Sequence, residues 1–327
     1  MSLTQLDPAF LAVGSKSTPS LDLFFSATKA LDSRITFTRA SVGTYIDSTG
    51  ALQTASTNVA RFTHNPSTLA SLGLLVEESR TNILLNSATL STQSVTTTAT
   101  SYVLSFTGTG TITLTGTSTA GPLVGTGTGE ANRVSLTFTP TAGTLTLTVS
   151  GTVTNAQLEA GSFRTSYIPT TSATATRSAD VATMTGTNFS SWFNQSEGSF
   201  AWEGIKAKNA VPWSISNATL LNRLHPDGTL NRAYAQISST SESGTFGAGT
   251  TPPIGSLFKE SIGYLTGSYY YANNQGSTGS AAFVGIPSVN QMQIGNIISA
   301  SQYSGTVARI RYYRRRLPDA SLKTLTT

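Results

Sequence analysis

Val134-Ser-Leu-Thr-Phe138 and Thr144-Leu-Thr-Leu-Thr-Val149 decide the fold class, because apolar side chains alternate there with Thr or Ser. A period of two puts one set on each face of an extended strand, one buried and one wet. Val103-Leu-Ser-Phe106 and Gly110-Thr-Ile-Thr-Leu114 repeat the pattern across Gly-rich turns. Closely spaced strands of this kind build a jelly roll or β-sandwich. Beyond Arg177 the segments Gly198–Ile205, Arg232–Ile237, Ser261–Leu265, Ser268–Ala272, Gln291–Gly295 and Gly305–Tyr313 also read as strands. Helix is expected only as a short turn within Asn188–Asn194 and as Pro318–Leu325, where proline suits the first helical position and Leu322 and Leu325 share a face. The chain reads as all-β with very little helix.

Composition supports that class. Charged residues are 11% of 327 residues, less than half the level of an ordinary soluble domain, while hydrophobic residues are 38%. Thr, Ser, Asn and Gly take the place of charge on the polar strand faces. No apolar stretch approaches the roughly 18 residues needed to span a bilayer. Cysteine is absent, which excludes a disulfide framework, a thiolate metal site and a cysteine nucleophile. The first residues carry Asp7 and lack a basic segment followed by an apolar core, so they do not read as a secretory signal. Residues 1–20, with Pro8, Gly14 and Pro19, show no sustained period and read as an attachment arm.

Three stretches carry a family resemblance. Phe37-Thr-Arg-Ala-Ser-Val-Gly-Thr-Tyr45-Ile-Asp47-Ser-Thr-Gly50 leads to Gly73-Leu-Leu-Val-Glu77-Glu78-Ser-Arg80-Thr-Asn82. Together they resemble the opening of a family of tailed-phage virion proteins. Val153-Thr-Asn-Ala-Gln157-Leu-Glu159-Ala-Gly161-Ser-Phe163-Arg-Thr-Ser-Tyr167-Ile-Pro169 resembles the exit of a small carbohydrate-binding-module-like domain in the same proteins. Arg309 to Leu325 is similar to the last strand and short helix of concanavalin A-like, laminin-G-type sandwiches. The resemblance implies an arm at 1–20, a β-region at 21–85, a small jelly roll at 86–169 and a sandwich at 170–327. It also implies a non-catalytic tail fibre, or head fibre or decoration protein, located in the virion and released by lysis. Its partners would be other virion proteins, further copies of itself as a trimer, and host surface polysaccharide. A lectin-like adhesin and a glycan depolymerase are the alternatives.

Individual residues refine these expectations. His64 and His225 sit beside turn-forming residues and read as loop positions without a metal or triad partner. Glu77 and Glu78 are adjacent and point oppositely, so they suit salt bridges with residues such as Arg80 rather than paired catalysis. Glu203 and Asp227 are the carboxylates a depolymerase would use, but no glycosidase motif surrounds them and the chain is not expected to be an enzyme. Tyr269, Tyr270, Tyr271, Asn273 and Asn274 form a sugar-like constellation, with rings to stack on pyranoses and amides to meet hydroxyls. Arg309, Arg311, Arg314, Arg315 and Arg316 read as a basic patch for protein contact; no phosphate loop or recognition motif points to nucleic acid. Trp192, Trp202 and Trp213 read as core anchors. No cofactor, metal or membrane partner is implied.

Overall fold

The structure, a computed structural model, describes residues 18–219, 221–237, 242–247, 250–283, 285–297 and 302–327. The arm expected at 1–20 lies almost wholly outside the described residues. Among the described residues the chain is nearly all-β, with short α-helices at Phe25–Thr28, Thr187–Ser190 and Asp319–Thr324 and a single 3-10 turn at Glu130–Asn132.

Two sheets make the larger sandwich. One runs in the order Thr278–Ala281, Ser268–Asn273, Leu257–Leu265, Glu197–Lys206, Gly305–Tyr313, Ser71–Val76, Arg61–His64, with Leu21–Leu23 also on Gly305–Tyr313. The other runs Thr36–Thr38, Val181–Thr185, Gln291–Ile294, Trp213–Ser216, Arg223–Pro226, Arg232–Ile237, Glu242–Gly247. All observed pairings are antiparallel, as alternating strands with short turns favour. Between the sheets lies one apolar cluster that includes Leu23, Phe37, Leu74, Val76, Trp192, Phe200, Trp213, Leu224, Tyr264, Met292 and Tyr312. The three tryptophans are buried, as expected.

This arrangement divides the chain differently from the sequence expectation. The segment 21–85 does not stand as its own layer, because Leu21–Leu23 and Ser71–Val76 hydrogen-bond along the one strand Gly305–Tyr313. Short N-terminal strands of three to six residues bury too little apolar surface alone. Adding them to a sheet already built from the C-terminal segment satisfies their backbone groups and covers Leu74 and Val76 completely. Gly73 permits the close approach: it has φ +91°, and a Cβ there would lie 2.3 Å from the Val307 carbonyl oxygen.

The small domain is an insertion. The chain leaves the large sandwich through Arg80–Asn82 and returns through Ala175–Arg177, and these two strands pair as a neck. Between them lie a four-stranded sheet (Leu123–Val124, Thr111–Gly116, Gly143–Ser150, Gln93–Thr97) and a three-stranded one (Val134–Phe138, Tyr102–Gly108, Val153–Ala160). The strands whose alternation sets the fold class face each other here, with Ile112, Leu114, Leu145 and Leu147 against Leu104, Phe106 and Leu158. Each such leucine contributes about 1.5–3 kcal/mol by leaving water.

Candidate functional site

The sugar-like constellation is not assembled on the surface. Tyr269, Tyr271 and Asn273 fall on the inward positions of Ser268–Asn273 and are buried. Tyr271 donates to Glu260 Oε1 at 2.8 Å, and Asn273 Nδ2 donates to the Tyr271 hydroxyl at 3.2 Å. Tyr270 faces the other way, beneath the Arg316 guanidinium at 5.5 Å from its ring centre. Only Asn274 is exposed, and its amide closes the turn against Lys259. Strand alternation splits the three tyrosines between two faces, and the inward face is core.

The basic run is likewise divided. Arg309 forms a two-point pair with Asp22 and lies 4.2 Å over the Phe24 ring. Arg316 pairs with Asp319 and donates to the Leu317 carbonyl. The last helix, with Leu322 buried beside Tyr313 and Leu317, covers the outer face of this sheet. Arg314 and Arg315 remain exposed at its rim. His64 and His225, expected in loops, are both buried within strands. Glu203 stands on the outer face beside Arg309, whereas Asp227 follows a strand of the other sheet and pairs with Arg232 at 2.7 Å. No facing pair of carboxylates is formed by them.

The motif residues converge instead on the neck. Asp180 binds Arg39 at 3.1 Å and Arg61 at 2.6 Å, while Glu77 binds Arg61 at 2.8 Å and Arg177 at 2.6 Å. The Ser166 amide and hydroxyl of the exit motif also donate to Glu77, at 2.7 and 2.6 Å. Burial alone would raise the Glu77 carboxyl, but the Arg177 and Arg61 charges and the Ser166 hydrogen bonds hold it down at about 2. Burial also works against the Arg61 charge, yet Asp180 and Glu77 more than offset it and raise its affinity for the proton. Asn82 donates to the Ala156 and Ile168 carbonyls, and Gln157 and Glu159 accept from the Ile168 and Thr165 amides. Gly161 (φ +143°) leaves room for the Arg80 guanidinium, which stacks 4.8 Å over Phe163. Glu78 turns away from Glu77 to meet Arg80 and Lys208, as the opposed directions of neighbouring residues require. These charges lock two sandwiches together and are paired with one another.

The outer face of the seven-stranded sheet is different. Met184, Ile215, Leu224, Ala235 and Met292 face the core, so their strand neighbours face outward. Register aligns Thr185, Gln291, Ser216, Arg223 and Gln236 in one row. Across five strands that row spans about 19 Å. A parallel row holds Thr36, Thr183, Gln293 and Ser214, and beside it His225, Tyr234 and Thr245. Arg223, Tyr234, Gln236, Gln291 and Gln293 are half-buried, with the serines as floor between them. Arg223 lies 4.8 Å over the Tyr234 ring, whose other neighbour is the His225 ring at 5.3 Å. His225 Nδ1 sits 2.7 Å from the Pro226 carbonyl, which assigns the proton to that nitrogen. Burial pushes the His225 imidazole down to about 4, so it is neutral at physiological pH. At one end of the first row a cavity of about 730 Å³ opens between Thr185, Gln291, Asn290, Ser190 and Gln195.

The face thus offers hydroxyls, amides, one guanidinium and one half-exposed phenol ring stacked on a buried imidazole, with no carboxylate among the named positions. Sequence reasoning used Arg232-Ala-Tyr-Ala-Gln-Ile237 only to place a strand. Its small and apolar inward residues already marked Tyr234 and Gln236 as the wet side, which is the signal that points to them.

No family model and no curated protein sequence matches the chain. Among solved structures, the CBM40 of the Ruminococcus gnavus IT-sialidase, bound to alpha2,3 sialyllactose, is similar over 41% of this chain and 83% of that chain, at 15% identity and a TM-score of 0.35. Domain 4 of AbnA, a GH43 extracellular arabinanase from Geobacillus stearothermophilus in complex with arabinotriose, is similar over 46% of this chain and 73% of that chain, at 10% identity and a TM-score of 0.37. The leech intramolecular trans-sialidase is similar over 41% and 23%, at 12% identity and 0.35. Likeness at this level carries no weight in assigning a function.

Proposed function

We propose that this protein is a non-catalytic glycan-contacting structural protein whose binding surface is the outer face of the seven-stranded sheet. The observation that carries the reading is the row Thr185–Gln291–Ser216–Arg223–Gln236 beside the Arg223–Tyr234 stack. Amides and hydroxyls spaced at strand intervals match the hydroxyl pattern of an extended polysaccharide, and an aromatic ring supplies a stacking surface. The setting we propose for it is the particle of a tailed phage, as a tail fibre or as a head fibre or decoration protein, possessed of further copies and other virion proteins as partners. That setting rests on the motifs around Arg39, Glu77 and Gln157. The rigid neck that these motifs build suits a projecting element that carries load between two sandwiches.

The test is retention on host surface polysaccharide, with glycan chain length measured before and after. Wild-type protein is expected to bind and the double variant Arg223→Ala/Tyr234→Ala to be released, with no change in chain length. Shortened glycan would overturn the non-catalytic reading, and equal retention of the variant would remove the sheet face as the site. Co-purification with intact particles tests the setting separately.

A further inference from the structure

Lys206 ends the strand Glu197–Lys206 with its side chain 0% exposed. Its Nζ lies 5.7 Å from the centre of the Trp202 ring and 5.1 Å from that of Phe258, and it has no hydrogen-bond partner among the described residues. Glu260 Oε2, on the neighbouring strand Leu257–Leu265, is 4.0 Å away, too far for a hydrogen bond. That oxygen is unpartnered among the described residues as well, while Oε1 accepts from the Tyr271 hydroxyl at 2.8 Å. Burial pushes the Glu260 carboxyl above its ordinary value, against the pull of Lys206. As an ion pair the arrangement is a poor stabiliser, because apolar side chains of similar volume would fill the same space without desolvating two charges. An amine and a carboxyl group set this close, and closed off from water, are the two reactants of an amide bond.

We propose that Lys206 and Glu260 join in an isopeptide bond once their two strands have paired. The Nζ lone pair adds to Glu260 Cδ, the Cδ–Oε2 bond breaks, and Oε2 departs as water with the acid proton and one amine hydrogen. The product is a secondary amide that keeps one hydrogen on Nζ and has Oε1 as its carbonyl oxygen; nothing is oxidised or reduced. The Tyr271 hydroxyl, already on Oε1, stabilises the negative charge which that oxygen gains as nitrogen adds. Groups held in place react as if at effective molarities on the order of 10⁵–10⁸ M, from an approach of about 3–3.5 Å. Rotation about the bonds of the long Lys206 side chain closes the remaining distance. Asn273, level with Glu260 on the next strand, is the poorer acceptor: its oxygen takes the Gln275 and Ser277 amides and its nitrogen donates to Tyr271. The bond staples two adjacent strands in a chain that has no cysteine to do so. It forms once, without turnover, and does not depend on the role of the glycan face.

Intact-mass spectrometry of the denatured full chain, followed by a tryptic digest, tests the proposal. Wild-type protein is expected to weigh one water less than its sequence, and its digest to hold one branched peptide that joins the segments around Lys206 and Glu260. Lys206→Met and Glu260→Met are expected to show the full sequence mass. Lys208→Met, which changes a partly exposed lysine nearby, is expected to keep the deficit. If either core variant does not fold, the wild-type digest decides the question by itself. A wild-type chain of full sequence mass would overturn the bond. A deficit of one ammonia would move the linkage to a carboxamide such as Asn273 and overturn the assignment to Glu260. A deficit of one water that persists in Lys206→Met, and that maps to a cyclic imide at Asp227-Gly228, would overturn it as well.

Discussion

The neck and the outer face of the seven-stranded sheet are both polar, and they differ in what their polar groups meet. At the neck, Arg39, Arg61 and Arg177 are matched to Asp180 and Glu77 and shielded from solvent. On the sheet, Arg223 rests on a ring and half-buried amides point outward. A buried network of paired charges specifies geometry and lies out of a ligand's reach. The half-exposed guanidinium and amides of the sheet lie within it. Charge that looks functional in a sequence therefore turns out to be architectural here, while unremarkable glutamines and threonines form the candidate surface.

The largest expected effect breaks the neck. Asp180→Ala strands Arg39 without a counter-charge in a buried site and leaves Arg61 with Glu77 alone, and should lower unfolding free energy by about 3–5 kcal/mol in urea titration. Asp32→Ala, which removes the partly exposed partner of Arg34, should cost less than about 1 kcal/mol. Equal losses would mean that the neck is no more than a surface pair.

Acid separates the two regions next. Both Glu77 and His225 have folded-state values below their unfolded ones, so the unfolded chain takes up the proton first and stability falls as pH drops. For His225 the loss runs from about 6.5 down to about 4, and for Glu77 from about 4.5 down to about 2. Each amounts to roughly 3 kcal/mol. Urea midpoints taken between pH 7.5 and 2.5 should fall in two stages, the upper of which disappears in His225→Gln. A single stage unaffected by that substitution would contradict the buried neutral imidazole.

Two conservative tyrosine changes sharpen the contrast at smaller scale. Tyr271→Phe removes a buried donor from Glu260 and should cost about 1–3 kcal/mol. Tyr234→Phe, on the half-open face, should change stability by no more than about 0.5 kcal/mol. The opposite ranking in thermal melts would return Tyr271 to the surface role that the sequence suggested for it.

Much of the local structure was legible in the sequence. The strands Arg232–Ile237 and Gly305–Tyr313 and the helix before Leu325 appear where their periods place them. The opposed directions of Glu77 and Glu78 follow from backbone alternation alone. What alternation cannot tell is which of the two faces is covered. Tyr269 and Tyr271 share a face, as read, but that face looks into the core because the second sheet lies across it. His225 is predicted poorly for a related reason, since its loop-like neighbour Pro226 ends a strand instead of a turn.

Sequence by itself determined that the fold class is all-β with very little helix, that its sandwiches hold without disulfides, and which residues alternate. Those are consequences of interactions within a few residues of chain, where side-chain period and turn chemistry act directly. Only the tertiary structure decided that Ser71–Val76 belongs with Gly305–Tyr313, that Arg39 meets Asp180, and that Gln291 lines up with Ser216 and Arg223. Those pairings join residues far apart in the chain, and they are selected by burying faces and matching charges across the whole fold, which no local pattern records.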